Sequence, residues 1–176
     1  MKKKRHLTQI RRCGTCTACC TALGVEALDK DVTQPCRHVV DSKCGIYNDG
    51  RPAVCVEFKC AWLMGRFDST WRPDRTGIVL GMTMHVAGLG PAVSVHEVWR
   101  GSSQTTLAKS IINELAESEP VIVLNEQRRQ VLGPRERMLP WMERRRQEAA
   151  ERGLPAGSVQ VEISSGTPAQ LAEKGL

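Results

Sequence analysis

Aromatic side chains are scarce in this chain of 176 residues, with one Tyr, two Phe and four Trp. A core must therefore come mainly from Val, Leu, Ile, Met and Ala, with the tryptophans as its few large packing units. Histidine is scarce as well, four in all, and none has a motif around it from which a Ser-His-Asp order is readable. There is no phosphate-binding Lys-Ser/Thr signature, and Gly88 and Gly90 fail to open a helix with the dinucleotide fingerprint. No run approaches the roughly 20 apolar residues of a membrane-spanning helix, so no membrane partner is expected. Behind MKKKRH, where a secretory signal would place its apolar region, the chain continues LTQIRR. A cytoplasmic location is therefore expected. Beyond position 60 there is no cysteine at all.

The apolar content of 41% and charged content of 25% describe one globular domain, or one with an appended module. The net charge of +6 is concentrated at the start: Lys2, Lys3, Lys4, Arg5, Arg11 and Arg12 face no acidic residue within residues 1–12. The remainder is nearly neutral, so this arm reads as a solvated tail, loose or beginning a short helix, before it reads as a nucleic-acid contact.

All eight cysteines fall within residues 13–60: CGTCTACC supplies Cys13, Cys16, Cys19 and Cys20, and Cys36, Cys44, Cys55 and Cys60 follow. A reducing compartment keeps thiols free, so such a cluster argues for metal ligation over a disulfide framework. The Cys-x-x-Cys-x-x-Cys spacing lets a tight turn aim sulfurs at one centre, and the small residues Gly14, Thr15, Thr17 and Ala18 permit close backbone approach. Cys19 and Cys20 are adjacent, and in extended or turn backbone neighbouring side chains diverge, so the two are expected to serve different centres. Eight thiols fit two four-cysteine sites or one multinuclear cluster; a single site with spare buried cysteines is the plainer alternative. Each half of the set alone makes a poor tetrahedron, which points to sites shared between residues 13–20 and residues 36–60. His38, two positions after Cys36, is a lesser ligand candidate.

Residues 21–35 read as a connection with one or two apolar anchors, stopped by Pro35. Residues 44–55 read as a hairpin or knuckle turned at Asn48, Asp49 and Gly50. The order CGTCTACC, then Cys36, then CGIYNDGRPAVCVEFKCAWL resembles the YkgJ-type cysteine-cluster family, the CxxCxxCC zinc- or iron-chelating domain. The resemblance covers residues 13–62, with Ile46, Tyr47, Arg51, Pro52 and Phe58 as accompanying positions, and the 48–50 link is slightly longer than the family's usual one. It implies metal chelation by the eight cysteines. Related clusters in flagellin lysine methylases imply iron-sulfur chemistry in at least one branch. Zn2+ is the expected metal and iron or an iron-sulfur cluster the alternative, because both favour all-thiolate ligand sets. A closed zinc site leaves no position for substrate, whereas an iron-sulfur centre would support redox or group-transfer chemistry. Whether the chain is an enzyme is left open.

After the cluster, residues 61–67 (AWLMGRF) form an apolar patch expected to pack the cluster on the body. Residues 77–88 and 92–101 read as a hairpin, residues 121–133 as a second strand pair turned near 125–129, and residues 105–119 as an amphipathic helix with Leu107, Ile111 and Leu115 near one stripe and Ser103 or Thr105 as cap. Residues 134–153 read as a helix kinked or initiated near Pro140. The Met82, Met84 and His85 run would suit copper(I) but reads first as core, and His96 beside Glu97 reads first as an ordinary strand pair before an acid/base couple. Arg128-Arg129 and residues 144–146 with the basic arm allow a weaker zinc-knuckle nucleic-acid reading; a protein partner is a further expectation. The resulting expectation is an α+β protein: arm 1–12, metal-stabilised Cys-rich module 13–70, body 71–153 of antiparallel strands and two helices, and weakly ordered tail 154–176.

Overall fold

In a computed structural model, residues 11–125 and 129–153 are described, apart from the side chains of residues 82 and 83. The expected tail and residues 1–10 of the arm lie outside them. The fold is α+β. Strands β1 (Val39–Val40) and β2 (Lys43–Cys44) make a small hairpin, and β3 (Ile78–Val86), β4 (Gly90–Glu97), β5 (Val121–Leu124) and β6 (Arg129–Leu132) form one sheet in that order. Helices are α1 (Ala18–Ala22), α2 (Ala53–Glu57), α3 (Pro73–Thr76), α4 (Thr106–Ala116) and α5 (Arg135–Glu151).

The two expected strand pairs form, β3 with β4 and β5 with β6, both antiparallel. The body is nevertheless not all antiparallel: β4 and β5 run parallel, with Val93 opposite Val121 and His96 opposite Leu124. The cause lies between them. A parallel return needs a crossover long enough to carry the chain back along the sheet, and α4 supplies it as a βαβ unit. Thr105 caps α4, its Oγ1 accepting from the Ala108 amide at 3.3 Å. The stripe that faces the sheet is Ala108, Ile111, Ile112, Leu115 and Ala116, spaced as i, i+3, i+4, i+7 and i+8; Leu107 is half exposed and lies off it.

The sheet is covered on both faces. Alternate residues Ile78, Leu80, Val93, Val95, Val121 and Val123 pack on α4, with Ala61, Phe67 and Trp71 closing the edge. On the other face Ala92, Ile122 and Val131 meet Met138 and Trp141 of α5, with Met84 partly buried among them. α5 starts at Arg135 after Pro134 and runs through Pro140, so initiation lies five residues earlier than Pro140. Two of its arginines bond to the β3–β4 turn: Arg137 donates to Leu89 O (2.9 Å) and Arg144 to Gly88 O (2.5 Å), while Trp141 Nε1 donates to Ala87 O (2.9 Å). These bonds fasten the β3–β4 turn to α5.

The cysteine-rich segment sits on the same sheet face as α5. Ala18 and Ala22 of α1 pack on Val79, with Phe58 and Val98 alongside, and the Ala61 amide donates to Leu80 O at 2.8 Å. Arg11, expected in a loose arm, is held: its guanidinium donates to Trp62 O (2.8 Å) and Phe67 O (2.9 Å) and lies 5.3 Å from the Trp62 ring centroid. Among the described residues no helix is long and apolar enough to cross a membrane.

Candidate metal centre

The backbone of the cysteine segment is mostly turns, and each turn delivers a thiol. Cys16 N donates to Cys13 O (2.9 Å), closing the first. Cys19 and Cys20 lie in α1, whose five residues carry no side-chain cap. The connection that follows is anchored by Ala22, Val25 and, unexpectedly, by Lys30: this buried lysine donates from Nζ to the carbonyls of Thr21 (3.0 Å), Asp31 (3.0 Å) and Leu23. Three backbone acceptors compensate the burial of one ammonium. Cys36 N then donates to Cys20 O at 3.1 Å, which brings the second half of the set back to the first. Asp41 and Ser42, both at positive φ (48° and 57°), turn the β1–β2 hairpin. That hairpin sets Val39 opposite Cys44, while the Val39 amide donates to Cys36 O.

Two expectations of local geometry change. Of the hairpin and the knuckle expected over residues 44–55, the hairpin does not form: the chain turns through Gly50 and enters α2, which carries Cys55. Cys19 and Cys20 are not set in the extended or turn backbone that the expected divergence assumed; both lie in α1. Their backbone is helical, so successive side chains stand about 100° apart, not on opposite faces as in a strand.

All eight thiols are free and partly buried. All except Cys60 line one cavity of about 770 Å³ between the cysteine segment and the sheet. Their electrostatic neighbours divide them in two. Cys13 is raised by burial and by Cys60, Cys16 and Cys20; Cys60 is raised by burial and by Cys16; Cys19 is raised by its bond to Cys20, by burial and by Cys20, Cys13 and Cys16. Cys55 is raised by burial and by Cys20, Cys36 and Cys44. One neighbourhood is thus centred on Cys13, Cys16, Cys19 and Cys60, the other on Cys20, Cys36, Cys44 and Cys55, with Cys20, which also acts on Cys13 and Cys19, joining them. Packing agrees in part, since Cys16 and Cys60 lie together against Val79, Ala18 and Ala22.

Positive charge accompanies the second neighbourhood. Cys20 is lowered to about 7, first by the hydrogen bond from Cys19 and then, against burial, by Lys30 and Arg51. The Arg51 guanidinium lies 3.9 Å from the Tyr47 ring centroid, and its buried Nε has no partner among the described residues. A deprotonated sulfur is an acceptor suited to that donor.

The donor set is all thiolate-forming, partly desolvated and flanked by cations, which suits a soft metal. In position it is open: among the described residues no group of three or more His, Cys, Asp or Glu is drawn together enough to hold a metal ion. The sulfurs surround a space instead of meeting at a point. His38 does not line the cavity; its carbonyl closes the hairpin by accepting from Gly45 N.

Of the other candidates, Glu97 is structural. Its buried carboxylate accepts from Ser103 Oγ (2.5 Å), Ser103 N (3.1 Å) and Gly101 N (3.1 Å), fixing the turn before α4. His96, the next residue back, points to the opposite face and lines the cavity; burial lowers its pKa. Lys30 and Arg129 also line the cavity, and the cysteine spacing gave no signal for either. Comparison with family models, curated proteins and solved structures finds no match to this chain.

Proposed function

We propose that the protein binds a soft metal through its eight cysteines in two centres, Cys13, Cys16, Cys19 and Cys60 holding one and Cys20, Cys36, Cys44 and Cys55 the other. The observation that carries this reading is the division of the thiols into those two neighbourhoods around a common cavity. Each centre then draws on both halves of the set, Cys60 joining the first three cysteines and Cys20 joining the last three. Zn2+ is the metal favoured by a four-thiolate set with a structural role; iron, alone or as an iron-sulfur cluster, is the alternative, and would supply electron transfer. Lys30 and Arg51 offset the negative charge that thiolate ligands accumulate. A cytoplasmic location and membership of the YkgJ-type cysteine-cluster family belong to the same proposal.

The test is metal analysis and visible spectroscopy on full-length protein purified without oxygen, beside Cys60→Ser and Cys44→Ser. Two centres predict that each variant loses about half of the bound metal and that the double variant loses nearly all. Full metal content in both single variants sinks the assignment, and a brown protein with broad visible absorption selects iron-sulfur over zinc.

A further inference from the structure

The cavity is larger than its thiols require. Metal ions held at about 2.3 Å from sulfur occupy the space among the cysteines, whereas a volume of about 770 Å³ lies in the range of small-molecule pockets, about 300–1,000 Å³. The rest of the space opens onto the sheet. Its floor is one cross-strand row: Val79 is opposite His96, His96 opposite Leu124, and Leu124 opposite Arg129. Val79 seats α1, and the other three line the cavity. This row stands at the carboxyl ends of the parallel strands β4 and β5, the end of such sheets where ligands commonly enter.

His96 is held in place by its neighbours. Its Nε2 lies 3.1 Å from Ser94 Oγ. Ser94 in turn occupies room that exists only because its cross-strand partner is Gly81: a Cβ there would fall 2.1 Å from Ser94 Oγ. With the Ser94 hydroxyl donating to Nε2, the neutral ring carries its proton on Nδ1 and offers a second hydrogen bond.

The charges lining the space are one-sided. Lys30, Arg51, Lys59 and Arg129 are cationic, and the one carboxylate, Glu97, is consumed by Ser103 and Gly101. Lys30 is spent on three carbonyls and Arg51 lies against Tyr47 at the thiol end. Arg129 is the cation of the floor. Leu23, Val25, Val32, Leu63 and Leu124 supply apolar wall.

We propose that the sheet end of this cavity binds a small organic carboxylate, with Arg129 pairing its charge, His96 Nδ1 donating to it, and the apolar wall holding a short hydrocarbon body. The site shares a cavity with the thiols but does not rest on their holding metal. To test it, full-length protein as purified is titrated with hexanoate, following the His96 ring resonances by NMR, with hexanol as the neutral control. Saturable shifts at His96 are expected, with affinity at least tenfold weaker for hexanol and for Arg129→Gln, and largely restored in Arg129→Lys. The proposal is overturned if hexanoate gives no saturable shift at His96, if hexanol binds as tightly, or if Arg129→Gln binds hexanoate like the parent. Should Arg129→Gln fail to fold, the hexanol comparison and Arg129→Lys decide. Metal content measured on the same samples separates the two proposals: hexanoate binding without metal leaves this one standing and removes the other, and metal without hexanoate does the reverse.

Discussion

The sheet and the cysteine segment are held together by different means. The sheet buries long runs of Val, Ile and Leu against α4 and α5, with Val79, Val93, Val95 and Val121 fully inside. Removing such area from water contributes about 25 cal/mol per Å². The cysteine segment buries Ala18, Ala22 and Val25, leaves its thiols half-exposed, and presents Val40, Tyr47, Val54 and Val56 to solvent. It has shape from turns and little apolar interior of its own. One region is stable through packing; on the proposed reading the other draws on ligation to reach comparable stability.

The sharpest way to break that contrast is to remove metal. On the proposed reading a structural zinc contributes on the order of 10 kcal/mol per site, so a strong chelator should abolish amide-exchange protection in residues 13–62 while β3–β6 keep theirs. Equal loss in both regions, or none in either, would show that the two share one source of stability. Next in size is the converse change inside the sheet's core. Ile111→Ala should cost about 2–5 kcal/mol by denaturant unfolding, with metal content per folded molecule unchanged. Glu97→Ala, which strands the Ser103 hydroxyl and the amides of Ser103 and Gly101, should cost about 1–3 kcal/mol.

A pH experiment probes the seam between the regions. Burial favours neutral His96, so its folded pKa lies below the ordinary 6.5. As pH falls through 6.5 the unfolded chain takes up the proton first, and the stability present above that pH is progressively lost toward the lower folded pKa. His96→Gln should therefore flatten the acid limb of the stability curve below about pH 6.5; an unchanged limb would mean that His96 is well solvated. The smallest effect belongs to the exposed Arg145–Glu148 pair of α5: Arg145→Ala should change stability by no more than about 0.5 kcal/mol.

Much of the sheet was legible because its signals are local. The runs around β3 and β4 alternate and are separated by Gly-Leu-Gly-Pro, so the hairpin follows from pattern and turn chemistry. The parallel step from β4 to β5 was legible in principle, since a strand, an amphipathic helix and a strand occur in that order. It was missed because two clear antiparallel pairs drew the whole body with them. In the candidate site the spacing identified the thiols but not their partners. Cys60 meets Cys16 through the seat on Val79, and Cys36 meets Cys20 through one backbone hydrogen bond; neither contact leaves a periodic trace. The sequence marked His96 only as a pair with Glu97, because its setting depends on a glycine and a serine on facing strands, and gave no mark for Lys30, whose acceptors are backbone carbonyls.

The seat of the cysteine segment also has a consequence in time. Its packing partners Val79 and Leu80 are synthesised after Cys60, and they become part of a sheet only once β4 follows. At about 5–20 residues per second, eight thiols wait for some seconds on a growing chain before the surface that shelters them exists. For that interval the nascent protein is an open thiol ligand, and whether it meets metal, oxidant or another nascent chain first is settled by the concentrations around the ribosome.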